Sequence, residues 1–154
     1  MSQYDVKQLM NRALNLPIWQ AQKGTGSFIT FEMGEKAMLA NKDGTPYLRG
    51  SVHLWIYLCD WEIRRQGKIL AKSDGSDDEI ASAVNNFEAQ HFCSIEKIDV
   101  NTLEVKASND LSIVLFGNDR AYEKNDDFFT LYVPEACVSY NKTQGFYAEP
   151  RGTA

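Results

Sequence analysis

Between Ser51 and Ile63 the chain reads SVHLWIYLCDWEI, its longest run dense in β-branched and aromatic residues. Side chains alternate across a strand with a period of two. His53, Trp55, Tyr57, Cys59, Trp61 and Ile63 would therefore share one face, and Val52, Leu54, Ile56 and Leu58 the other, until Asp60 and Glu62 turn that second face polar. A strand apolar on both faces belongs in the interior of a sheet. Ser51–Ile63 is expected to be one long central strand, flanked on both sides, with its tryptophans in the core.

The flanking segments carry weaker but readable signals. Ser2 can cap a helix with Asp5 three residues on, and Val6, Leu9, Met10, Ala13 and Leu14 recur at helical spacing, which predicts a helix over 1–15 ended by Pro17. Gly24 and Gly26 mark a turn before a first strand over Ser27–Met33, where Phe28, Thr30 and Glu32 alternate with Ile29, Phe31 and Met33. Gly34–Gly50 reads as a loop with Asp43-Gly44 as a turn pair and room for a short hairpin around Met38 and Tyr47. Arg64–Gly67 reads as a hairpin turn returning through Lys68–Lys72. Ser76-Asp77-Asp78-Glu79 is a capping box with the apolar stripe Ile80, Ala83, Val84 and Phe87 behind it.

From His91 onward the period is two, predicting strands over Phe92–Ile98, Leu103–Ala107, Leu111–Phe116, Phe128–Val133 and Ala136–Tyr140. Gly117–Asp127 is long, polar and acidic, and the tail from Gln144 (144–154) is expected to fray. This order predicts an α+β fold in a single domain over 1–154, with two helices packed on a largely antiparallel multi-stranded sheet that ends in a C-terminal meander.

Size and charge narrow the function classes. A chain of 154 residues buries roughly 70% of its unfolded surface and needs no staple. Cys59, Cys93 and Cys137 are odd in number and lie within strand-like runs, which suits reduced, inert thiols in a cytoplasmic protein. No stretch has the length and apolarity of a signal peptide core or a membrane helix. Residues 1–70 hold nine Lys/Arg against six Asp/Glu, and 71–154 seven against fifteen, so the acidity lies in the second half. That imbalance disfavours direct nucleic-acid binding and suits a basic protein partner.

Candidate chemistry is sparse. His53, Cys59, His91 and Cys93 are zinc-ligand types, but His53 and Cys59 lie about 20 Å apart along one strand at ~3.3 Å per residue and cannot share an ion. Cys59 with His91 is the one thiol–base pairing to consider. The motifs of serine hydrolases, zinc proteases and phosphate-binding loops are missing, so an enzyme is the less favoured class and no cofactor is implied. His53, Trp55, Tyr57 and Trp61 would line a pocket if their shared face is open, although core packing explains large aromatics on a central strand more simply. Asp74, Asp77, Asp78 and Glu79 form one acidic cluster, and Asp119, Glu123, Asp126 and Asp127 another. Helix capping accounts for part of the first; together the two would steer a cationic protein toward this surface.

Leu16–Trp19, Gly26–Gly34 and His53–Trp61 resemble segments of small bacterial proteins, some of them similar to the immunity proteins of polymorphic and contact-dependent toxin systems. The resemblance covers the first third to half of the chain and supplies no catalytic residue. It implies a cytoplasmic immunity protein that neutralises a cognate toxin domain, for example a basic nuclease, through its acidic surface. Two expectations from other classes stand beside it: a small-molecule-binding or enzymatic domain using the aromatic pocket, and a homo-oligomer joined through a strand edge.

Overall fold

Period-two alternation governs far more of this chain than its densest apolar runs suggest. The computed structural model describes residues 4–117 and 125–151. In chain order these form α1 (Val6–Asn11), β1 (Ile18–Lys23), β2 (Ile29–Ala40), β3 (Pro46–Ile56), β4 (Asp60–Arg65), β5 (Lys68–Lys72), α2 (Asp77–Asn85), β6 (Phe92–Asp99), β7 (Thr102–Ala107), β8 (Leu111–Phe116), β9 (Phe129–Tyr132), β10 (Ala136–Asn141) and β11 (Gly145–Pro150). The strands build two antiparallel sheets, one of six strands in the order β1-β2-β3-β9-β10-β11 and one of five in the order β5-β4-β8-β7-β6.

The expected α+β class is therefore wrong: the described residues are mostly β, with two short helices. Helices of six and nine residues cannot cover a sheet, and the two sheets bury each other instead. Their inner faces share one continuous apolar cluster, from Ile29, Phe31, Leu54, Leu131 and Val138 on the larger sheet to Trp61, Ile63, Val105, Ile113 and Leu115 on the smaller. Buried polar tips in this layer find carbonyl partners: Trp61 Nε1 donates to Ser27 O at 2.7 Å and Tyr140 Oη to Val100 O at 2.6 Å. At one corner residues 15–18 hydrogen-bond with 89–92, which ties the sheets together through backbone.

The expected central strand is two strands in two sheets. β3 ends at Ile56, Tyr57–Cys59 cross between the sheets, and β4 begins at Asp60. On β3 the even residues Val52, Leu54 and Ile56 face the core; on β4 the odd residues Trp61 and Ile63 do. Both strands are interior to their sheets, as a run apolar on both faces requires, but His53 and Trp55 point out of the sandwich, away from the core.

Three further segments differ from expectation. Gly34–Gly50 is no loop but most of a long hairpin, in which β2 and β3 pair from Ile29–Ile56 out to Ala40–Pro46. β1 accompanies β2 only as far as Met33 and β9 accompanies β3 only as far as His53, so residues 36–40 and 46–50 project past both neighbours as an arm. A bulge after Met33 starts the arm; Gly34 there has φ +75°, and Trp19 Nε1 donates to its carbonyl at 3.1 Å. The tail is an edge strand, β11, and Arg151 beyond it donates to Ser51 O and Val133 O at 3.2 and 3.1 Å. α1 is shorter than predicted, with Asp5 as its cap through Gln8 N, and Asn15 in the left-handed region closes the turns after it. No helix among the described residues is long and apolar enough to cross a membrane.

Gly50 lies where the arm leaves the sheet, and a Cβ on it would collide with the backbone nitrogen and oxygen of Met33. Gly50→Ala should destabilise the protein by about 3 kcal/mol, because backbone must move to admit it. Gly67→Ala, with φ +79° but open space around it, should cost about 1 kcal/mol. Urea unfolding of both variants measures the difference.

Candidate functional site

The outward face of the six-stranded sheet is set by register. Paired residues across antiparallel strands share a face, so one row runs Gln20, Glu32, His53, Tyr132, Cys137 and Glu149, and the next Gln22, Thr30, Trp55, Thr130, Ser139 and Tyr147. These rows hold polar and aromatic side chains, whereas the residues between them are core. The arm stands over the β1–β2–β3–β9 part of this face. Met38, Tyr47, Leu48 and Arg49 wall a groove of about 740 Å³ whose floor includes Gln20, Glu32, His53, Trp55 and Tyr132.

Glu32 and His53 lie side by side beneath the groove, each less than a tenth exposed. Glu32 Oε2 meets His53 Nδ1, and Glu32 Oε1 accepts the Gly50 N–H at 2.8 Å with Arg49 Nε 4.0 Å away. Burial by itself would raise the Glu32 pKa, but the His53 contact, the Gly50 amide and the charges of His53 and Arg49 outweigh it and hold the carboxyl below its ordinary value. An imidazole fixed at Nδ1 by a carboxylate presents Nε2 to whatever enters the groove. The Tyr132 ring tilts against His53 with centroids 5.8 Å apart, and the Arg151 guanidinium covers Tyr132 at 5.5 Å.

Next to this pair is an aromatic platform. Trp55 stacks on Tyr57 at 3.9 Å and 15°, and Phe28 meets both edge-on at 5.8 and 6.3 Å. Tyr57 Oη reaches Thr130 Oγ1 at 3.0 Å and Asp127 at 3.4 Å; Thr130 in turn meets Ser139 Oγ at 2.9 Å. Tyr147 Oη donates to both oxygens of Asp127 at 2.8 and 2.7 Å, and Asn141 Nδ2 donates at 3.1 Å. Burial, with the Asp127 charge added, pushes Tyr57 up to about 12 and raises Tyr147 as well, so both phenols stay protonated donors at neutral pH.

Of the four aromatic-face residues, the structure places His53 and Trp55 in the groove and Tyr57 behind Trp55, while Trp61 is sealed in the core. Expecting core packing for the whole face is thus corrected for the first three: Val52, Leu54 and Ile56 take the core side of β3, and the strand break after Ile56 turns only Trp61 inward. Asp74, Asp77, Asp78 and Glu79 are exposed around the start of α2, where Ser76 Oγ accepts the Glu79 N–H at 3.2 Å and Asp77 pairs with Lys23 at 3.3 Å. Asp127 is gripped by the tyrosines, Asp126 is also engaged, and Asp119 and Glu123 lie outside the described residues.

Cys59 is buried with its thiol 3.5 Å from Phe128 O, and burial, then the nearby Asp60 charge, raises its pKa well above the ordinary value, leaving no activated thiol there. His91 is exposed, and Cys137 lies on the outer face with its pKa raised mainly by burial. Among the described residues no group of three or more His, Cys, Asp or Glu is placed to hold a metal ion.

Sequence reasoning missed Gln20, Gln22, Glu32, Arg49 and Tyr132. The polar alternation of Thr30 and Glu32 within Ser27–Met33, and of Gln20 and Gln22 in IWQAQK, was the available signal for a strand with one wet face. The chain matches no family model, and neither a curated protein nor a solved structure is significantly similar to it.

Because the folded pKa of Glu32 is lowered, its contribution to stability is present above the ordinary carboxylate value of 4.5 and is lost as pH falls through the lower folded value. Glu32→Gln should cost about 1–3 kcal/mol at neutral pH, since a buried partner of His53 loses its charge. The deficit should shrink as pH falls below the ordinary carboxylate value of 4.5 and the wild-type carboxyl protonates. Urea midpoints of both proteins across that range measure it.

Proposed function

We propose that this is a cytoplasmic binding protein of the immunity type, which neutralises a cognate toxin domain by covering it. The observation that carries the reading is the β2–β3 arm. Met38 is 64% exposed, Leu39 42% and Leu48 43%, on the part of the hairpin beyond Met33 and His53, which no other strand of the described sheets accompanies. A protein does not gain by presenting such side chains to water on a projecting element; they supply the apolar anchors that a tight interface needs at its centre. The resemblance of the N-terminal half to immunity proteins gives the class of partner. Asp74 and Asp78, exposed and without an ion pair among the described residues, are placed to speed the approach of a basic partner rather than to hold it.

A second reading is favoured by one specific observation, the open groove with His53 and Trp55 inside it. A cavity of that size, with a few convergent polar groups among aromatics, has the character of a small-ligand site.

The partner test is co-purification with the product of the neighbouring gene, which the reading expects to be a toxin. Met38→Asp combined with Leu48→Asp should weaken the complex about 100-fold or more through faster dissociation. Asp74→Lys with Asp78→Lys should slow association at low salt and leave dissociation unchanged. Failure to recover any partner, or an unaltered off-rate for the arm variant, removes the reading.

A further inference from the structure

Arg49 is the odd group in the groove. Its guanidinium makes no hydrogen bond to any described residue; Nε is shut off from water without a partner, and the nearest carboxylate oxygen, Glu32 Oε1, is 4.0 Å away, beyond hydrogen-bonding reach. The Tyr47 ring backs it at 5.6 Å, which helps fix the plane of the donors. Glu32 feels the Arg49 charge across that gap, but its Oε1 accepts the Gly50 amide and its Oε2 lies on His53. The groove is therefore lined by a guanidinium with no hydrogen bond of its own and, on its floor, the imidazole of His53.

We propose that the groove between the arm and the outer face of the six-stranded sheet binds a small arylalkanoate, its carboxylate taken by Arg49 and His53 and its flat ring laid on Trp55. The inference rests on the second reading above, the groove as a ligand site, and not on the protein partner. Carboxylate matches a planar guanidinium fork, which takes two oxygens at once. Glu32 limits the charge the groove can take: it repels any anion bound beside Arg49, and a doubly charged phosphate about twice as strongly as a carboxylate. Trp55 is already braced from behind by Tyr57 and from the side by Phe28, and such a platform loses little freedom when a ring settles on it. His53 and Trp55 are two residues apart on one strand, about 6.6 Å, so a ring and a carboxylate separated by a short alkyl spacer span the two ends.

Calorimetric titration of the intact protein with indole-3-acetate, indole-3-acetamide and indoxyl phosphate tests this with the ring held nearly constant. The acid should bind about tenfold or more tightly than the amide or the phosphate. Arg49→Gln, on the half-exposed arm, should bring the acid down to the affinity of the amide in a protein whose far-UV circular dichroism shows it still folded. Trp55→Ala should weaken acid and amide by the same factor. Equal binding of acid and amide to the wild type, or tighter binding of the phosphate, would overturn the carboxylate proposal and leave the groove a ligand site. No heat from any of the three probes at millimolar concentration would overturn the proposal and the second reading together, leaving the partner reading to its own test.

Discussion

Tyr57, Leu58 and Cys59 carry the chain from the six-stranded sheet to the five-stranded one, and the carbonyl of Phe128 holds the place where they cross. It accepts the Tyr57 N–H at 3.2 Å and lies 3.5 Å from the Cys59 thiol, while the Phe128 N–H is bound to Tyr140 O at 2.8 Å. Phe128 enters the larger sheet as the chain returns, so the outgoing and returning connections brace each other at one buried residue. Without the crossing, β3 and β4 would be one strand, and Trp61 would join His53 and Trp55 outside. With it, Trp61 turns into the shared core and hydrogen-bonds Ser27 O, while His53 and Trp55 stay on the wet face. Core and site thus come from one contiguous run of sequence, divided by three residues.

That division explains what the sequence could and could not reveal. The capping box at Ser76 is local chemistry, and α2 starts where it says. β6, β7 and β8 follow their apolar alternation closely, and their order in the sheet is that of a meander. The strand break at Tyr57 leaves almost no local trace, because crossing residues that are themselves apolar look like more strand; only Asp60 and Glu62 hint at it. The arm was hidden for the opposite reason. Lys36, Lys42, Asp43 and Arg49 give Gly34–Gly50 the composition of a loop, and its pairing is fixed by a bulge and by the turn at Asp43–Gly44 rather than by burial. β11 looked like a fraying tail because its side chains are only half buried, as an edge strand allows. The pairing of Ala136–Asn141 with Gly145–Pro150 places it in the sheet.

Fold class went astray through the same blindness to long-range packing. Two amphipathic helical stretches at 1–15 and 76–87 suggested lids over one sheet, yet α1 and α2 are too short for that role and serve at the margins of a sandwich. A second sheet satisfies the apolar face of the first far more completely than either helix could, and the chain supplies it by alternating apolar and polar residues in β7 and β8.

The electrostatics of the site follow from where charges are already spent. Counting acidic residues in 71–154 suggests a uniformly negative surface, but Asp127 is held by tyrosine and asparagine donors, and Asp77 is paired with Lys23. Glu96 and Glu104 share Lys106 on the outer face of the five-stranded sheet. Positive groups are spent less fully on the opposite side of the molecule, where the single carboxylate of the groove, Glu32, is held by an amide and an imidazole and Arg49 is left without a hydrogen bond. Net charge describes the long-range field that a partner feels on approach. What is bound on contact is decided by the donors and acceptors that the fold has left unmatched, and in the groove the buried Nε of Arg49 is one of them.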